Sequence, residues 1–173
     1  MQKYIDKIRR EIARQTLCVN ITLVIISACI CAAIGIIFVI CGMDYEMYSE
    51  IAQPAFYFPC IIMAVLQIFF YAVIGAGIGI IISTPYYRRN YAKLISISLA
   101  LGTLFLCFAW ISLVYTAASF FLAFIVCLII LVLSAATFKF YITINTVAAW
   151  VMFVFMLFDF YLACYSISLF IIN

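Results

Sequence analysis

The sequence predicts an all-α polytopic membrane protein, a five-transmembrane-helix bundle, and three observations carry that expectation. Between Lys93 and Lys139 no residue is charged, a gap roughly twice the ~20 apolar residues that one helix needs to cross a bilayer. A second charge-free run extends from Ile51 to Tyr87, and the segment from Phe140 to Asn173 holds a single charge, Asp159. The 173-residue chain is 71% hydrophobic and 9% charged, whereas soluble domains are about one-quarter charged. A water-soluble fold of this length has too little interior to hide so many Leu, Ile and Phe side chains. In hydrocarbon, backbone amides must pair within a helix or a closed barrel, and these runs lack the dyad alternation of barrel strands.

Residues 1–16 form a basic flank, and residues 17–173 are expected to form one domain. Its first span, about 17–41, closes before Gly42 and the acidic cluster Asp44, Glu46 and Glu50. The second, about 59–83, starts at Pro59, where a first turn tolerates proline, and ends at Ser83-Thr84-Pro85. The third and fourth, about 94–115 and 119–138, are separated by the small polar patch Thr116-Ala117-Ala118-Ser119. The fifth is expected at about 143–170, with Lys139 in the preceding loop.

Basic residues near span ends stay preferentially in the cytoplasm. Lys3, Lys7, Arg9, Arg10 and Arg14 precede the first span, Arg88, Arg89 and Lys93 follow the second, and the loop after the first carries only acids. The expectation is an integral protein of the cell membrane with its N-terminus inside, the 44–58 loop outside and Asn173 outside. Tyr4, Ile8 and Ile12 repeat at helical spacing, so the flank is either an interfacial helix on anionic lipid or simply the charge that sets topology. Membrane lipid is the first partner implied, and no nucleic-acid partner is expected.

The chain has no histidine, which removes the commonest metal ligand and the usual general base at neutral pH. Its eight cysteines include no CxxC pair; they are read as small apolar packing groups, with a bridge between Cys41 and Cys60 as the alternative. No metal and no cofactor are expected. Two polar residues stand out within the spans. Asp159 lies mid-span, where an ionisable group costs at least ~2.5 kcal/mol and usually faces a cavity or a partner. It is expected to be neutral there. Gln67 is the second, with Tyr71 one turn on. Each is either inter-helix glue or part of a ligand pocket. Phe155, Phe158, Asp159 and Leu162 form one helical stripe.

Gly75 and Gly79 have a spacing that allows close helix approach, and Ser98 with Gly102 gives a small-residue pair through which a homodimer could form. Arg89, Tyr91 and Leu94 fit an inverted sterol-contact pattern that mainly marks a membrane boundary.

Three segments resemble the TspO/MBR family, the translocator proteins also called peripheral-type benzodiazepine receptors or tryptophan-rich sensory proteins. Tyr48, Pro54, Phe56 and Pro59 coincide with that family's pattern leading into its second helix, and Tyr71 and Gly75 continue the register. Trp110 matches the tryptophan near the end of helix three. Ala148-Ala149-Trp150, Tyr165, Ser166 and the terminal Asn173 match helix five, with no gap from Trp110 onward. The resemblance implies a pocket inside the bundle, beneath an outer lid carrying Tyr48, Pro54, Phe56 and Pro59. It would take porphyrins, sterols or other planar apolar ligands, and its lining would be Met63, Gln67, Trp110, Leu122, Phe158 and Leu162, with Asp159 beside them.

The departures bear on chemistry. Family tryptophans fall on Ile61, Gln67 and Phe158, the helix-four acid on Val126 and the helix-five proline on Val154. Light-driven porphyrin breakdown, proposed for some relatives, is associated with the indoles replaced here by Gln67 and Phe158. Glutamine can neither stack nor give up an electron, and phenylalanine only stacks. The expected function is therefore a receptor or carrier with no catalytic residues. The alternatives are a light-dependent porphyrin-degrading enzyme, or a proton-coupled transporter that uses Asp159.

Overall fold

The computed structural model describes residues 19–85 and 90–173. Six helices lie in them: α1 (Ile21–Gly42), α2 (Tyr45–Glu50), α3 (Cys60–Ser83), α4 (Asn90–Tyr115), α5 (Phe120–Ile144) and α6 (Thr146–Ile172). All but the short α2 are long and apolar enough to cross a membrane. The five-span, all-helical expectation is thus met. The basic flank at 1–16, the start of the first span before residue 19, and Arg88 and Arg89 lie outside the described residues.

Capping explains where the helices begin. The Asn20 side chain accepts from the Thr22 amide at 3.1 Å, and Asp44 accepts from Glu46 at 2.9 Å to start α2. Pro59 caps α3 without a side-chain bond, and its ring satisfies the geometry of a helix start. The turn at 116–119 separates α4 from α5, and Ala118 turns the chain with φ at 48°.

The break between the last two spans is not where Lys139 suggested. Helix α5 continues through Lys139 to Ile144, and Asn145 alone turns the chain into α6. Its backbone amide closes α5 on the Tyr141 carbonyl at 2.7 Å, while its side chain accepts from Val147 at 2.9 Å to open α6. Lys139 is exposed on α5, and a lysine stem can lie along an apolar helix while its head group reaches water.

The spans form a ring in the order α1, α3, α6, α5, α4, closed by contact between α4 and α1. A Cβ on Gly75 would lie 2.6 Å from the Ser27 carbonyl oxygen, and one on Gly79 would lie 2.7 Å from Val24 Cα and collide with Ser27 Oγ. The glycine pair therefore serves the α1–α3 seam within one chain. Gly102 differs: a Cβ there meets nothing within 4 Å, and Ser98 is exposed. Ile61, Phe105 and Ile40 are each 71% exposed, as the lipid-facing surface of a bundle requires.

Candidate functional site

The ring encloses a central layer to which α3, α4, α5 and α6 each contribute polar groups. Tyr71 of α3 donates to the Cys107 carbonyl of α4 at 3.2 Å, which ties the two helices together across the ring. Trp110, one turn further along α4, donates its indole N–H to Ser166 Oγ of α6 at 2.9 Å, and Cys127 of α5 reaches the same hydroxyl at 4.0 Å. Asp159 lies two turns from Ser166 on α6, near the thiols of Cys107 and Cys127. Trp110 is in place because it is both buried and paired, as an indole N–H in a core must be.

Five buried side-chain atoms have no hydrogen-bond partner among the described residues, the Tyr115 and Tyr141 hydroxyls and three more in this layer. Asp159 Oδ1, Asp159 Oδ2 and Gln67 Nε2 are buried without a hydrogen bond among the described residues. Neither a bond between Asp159 and Gln67 nor one between Asp159 and Tyr71 is formed; of the three, Tyr71 alone makes an inter-helix hydrogen bond, to Cys107. Buried polar groups are almost always paired, and each exception needs its own reason.

An aromatic column runs from this layer to the lid. Phe70 stacks on Phe158 at 4.0 Å and 8°, Phe158 is followed by Tyr161 at 6.2 Å, and Tyr161 by Tyr165 at 6.2 Å. Phe58 of the lid packs on Tyr161 at 5.3 Å, and Phe56 approaches it edge-on at 6.3 Å. Parallel planar rings of this kind are complementary to a flat apolar ligand.

The lid itself is fastened by polar contacts to α6. The Tyr48 hydroxyl donates to the Phe58 carbonyl, and burial pushes the Tyr48 phenol up, so it stays a donor across the physiological range. Tyr165 donates to Gln53 Oε1 at 2.9 Å, and Gln53 Nε2 donates to the Tyr48 carbonyl at 3.1 Å. Asn173 closes the set: it accepts from the Ala52 amide at 3.0 Å and donates to the Ala52 carbonyl at 3.0 Å.

Of the residues expected to line a pocket, Met63, Gln67, Trp110, Phe158, Asp159 and Leu162 are buried inside the bundle. Leu122 is not with them. It is 50% exposed and borders a surface groove with Phe121, Phe170 and Asn173. The inward stripe of α5 is Ala123, Val126, Cys127 and Ile130, and Leu122 falls off that stripe by one position. Among the lid residues, Tyr48 and Pro54 are buried, whereas Phe56 and Pro59 are exposed. Phe70, Tyr161, Ser166, Gln53 and the bonding role of Asn173 were not anticipated; the i, i+3 spacing of Phe158 and Tyr161 was the available signal for part of the column.

The described cysteines are free, Cys41 and Cys60 included. Cys29 is exposed and Cys31 buried, as their two-residue separation on a helix requires. No group of three or more potential metal ligands occurs among the described residues.

Comparison with known proteins matches the arrangement to a family. No curated protein matches the chain. A family model described as the TspO/MBR family matches residues 23–171, from the first turn of α1 to the last turn of α6. The chain therefore belongs to the TspO/MBR family.

Proposed function

We propose that this protein is a membrane receptor or carrier that binds a planar, largely apolar molecule, porphyrin-like or sterol-like, inside the helix ring and beneath the 44–58 lid. Family membership supports a membrane sterol- or porphyrin-binding role in general. The observation that carries the proposal here is the unpartnered set Asp159 and Gln67 Nε2, buried next to a column of flat rings that ends under a fastened lid. Apolar burial with a few polar groups to set orientation is the usual make-up of a ligand site. Met63, Trp110 and Leu162 complete the proposed lining.

The same residues argue for binding without turnover, because Gln67 and Phe158 stand where the indoles associated with porphyrin photochemistry would be. The direct test is a titration with protoporphyrin in darkness, followed by illumination. One ligand per chain is expected, with loss of the Soret band no faster than in matched empty micelles. Absence of saturable binding overturns the proposal, and protein-dependent bleaching with a new product overturns its non-catalytic part. Restoring tryptophan at 67 and 158 together is the informative gain-of-function variant.

The proposed setting is the cell membrane, with the lid and Asn173 outside and the 86–89 segment inside, because the lid carries only acidic charges while Arg88, Arg89 and Lys93 flank the opposite end. In a cysteine-free background, a probe cysteine at Glu46 is expected to react with an impermeant thiol reagent on intact cells, and one at Asn90 to stay unlabelled. The open surface at Ser98 and Gly102 is the proposed homodimer contact.

A further inference from the structure

We infer that the ligand selected by this centre carries an amine that makes it cationic at neutral pH, and that Asp159 is the counter-ion for that cation. The inference rests on the proposed ligand site and names the chemistry that site prefers.

Both Asp159 oxygens are buried and unpartnered, and no cation reaches them among the described residues. Among the described basic residues, Lys93 donates to the Ile82 carbonyl at 2.7 Å and the Thr84 carbonyl at 3.2 Å, at the end of the bundle opposite the lid. Lys139 is exposed on α5 near that same end. Asp159 stands about 20 Å along α6 from Thr146, at 1.5 Å per residue, well beyond the reach of either. The titratable groups that face it are Cys107 from α4 and Cys127 from α5, both thiols. Tyr71 from α3 has its hydroxyl committed to the Cys107 carbonyl.

Aromatic residues occupy the same layer of the bundle: Phe155 is one turn away on α6, Phe158 is stacked by Phe70, and Tyr71 and Trp110 make their hydrogen bonds there. An organic cation is attracted to such ring faces when desolvated, and its N–H groups are donors for the two waiting oxygens. A carboxyl and an amine that meet here form a pair of zero net charge whichever of them holds the proton, so the mid-membrane cost of an isolated charge is avoided. A ligand with no N–H or O–H donor leaves at least one Asp159 oxygen unpartnered. Gln67 Nε2, a buried donor that also lacks a partner, then suits an acceptor on the same ligand.

The probes are 9-aminoacridine, a planar cation at neutral pH, and acridine, the same ring system without the amine and uncharged. Binding is measured by fluorescence to the full chain in nanodiscs of phosphatidylcholine, with protoporphyrin as a third probe. The expected result is at least tenfold tighter binding of 9-aminoacridine than of acridine, a preference abolished in Asp159→Asn and retained in Asp159→Glu. Equal affinities in the unmodified protein overturn the inference without recourse to any variant, and so does a preference that survives Asp159→Asn. If acridine or protoporphyrin saturates but the amine gains nothing, the amine inference fails while the planar-ligand site stands. If none of the three saturates, the site itself fails and the inference with it.

Discussion

The seam between α1 and α3 and the centre enclosed by α3, α4, α5 and α6 are built on opposite principles. At the seam, two glycines let backbones meet so closely that a single Cβ would collide with Ser27 and Val24. The side-chain hydroxyl there is satisfied locally, Ser27 Oγ donating to the Leu23 carbonyl at 2.8 Å. At the centre, a carboxyl and an amide N–H are buried with nothing to bond. Lipid tails are as apolar as leucine, so helix association in a membrane depends on close packing and on satisfied polar contacts. The Gly75 and Gly79 contacts with Ser27 and Val24 follow that rule and the centre departs from it, which is where a ligand would supply what the fold does not.

Loading the seam is the harshest way to break the comparison. Gly79→Leu forces α1 and α3 apart because the blocking atoms include backbone, Val24 Cα at 2.7 Å. Overpacking of this kind costs about 3 kcal/mol or more, and loss of the monodisperse, thermally cooperative species in detergent is the expected readout. Gly102→Leu is the control. A Cβ there meets nothing, so the thermal midpoint should hold, and only the oligomeric state should respond if that surface joins two copies.

The opposite sign is expected at the centre. Asp159→Leu removes a buried carboxyl that has no partner, and relief of that penalty is worth about 1–3 kcal/mol. The ligand-free protein should therefore melt higher than the unmodified chain. A lower midpoint would show that Asp159 holds helices together, and the contrast between seam and centre would collapse. Leu162→Trp sharpens the same contrast at smaller cost: filling space beside Phe158 and Asp159 should weaken protoporphyrin binding about tenfold, or 1.4 kcal/mol. Leu122→Trp, on the exposed face of α5, should leave the affinity unchanged.

How far these regions were legible in the sequence depends on the range of the interactions that make them. Charge-free runs are local, so the five spans and the turn at 116–119 could be read directly. Lys139 misled because a charge was taken as a boundary, whereas the structure-forming signal was the capping side chain of Asn145. Gln67 and Asp159 were visible as anomalies. That each lacks a partner was not, because the identity of a neighbour across the ring is a tertiary fact. Leu122 lies off the inward stripe for a related reason: α5 is apolar on every side from Phe120 to Leu133, so that half of the helix contains no contrast by which to tell the inward stripe from the lipid-facing one, whereas Ser134, Thr137 and Tyr141 mark it further on.

The lid latch was the least legible feature, and it gives the mildest of the predictions. Asn173 and Ala52 are 121 residues apart and meet only when α6 has crossed back to the lid end. The two hydrogen bonds are solvent-accessible, so together they contribute about 1 kcal/mol, too little to govern folding and enough to bias opening. Asn173→Ala should leave the thermal midpoint nearly unchanged while speeding amide exchange at Ala52 and raising ligand association and dissociation rates together by about fivefold, with little change in affinity. Equal effects on both rates would identify Asn173 as part of a gate that slows passage in each direction. A change in affinity without a change in association rate would instead place the lid among the surfaces that touch the ligand, and would extend the ligand-seeking centre up to the membrane boundary.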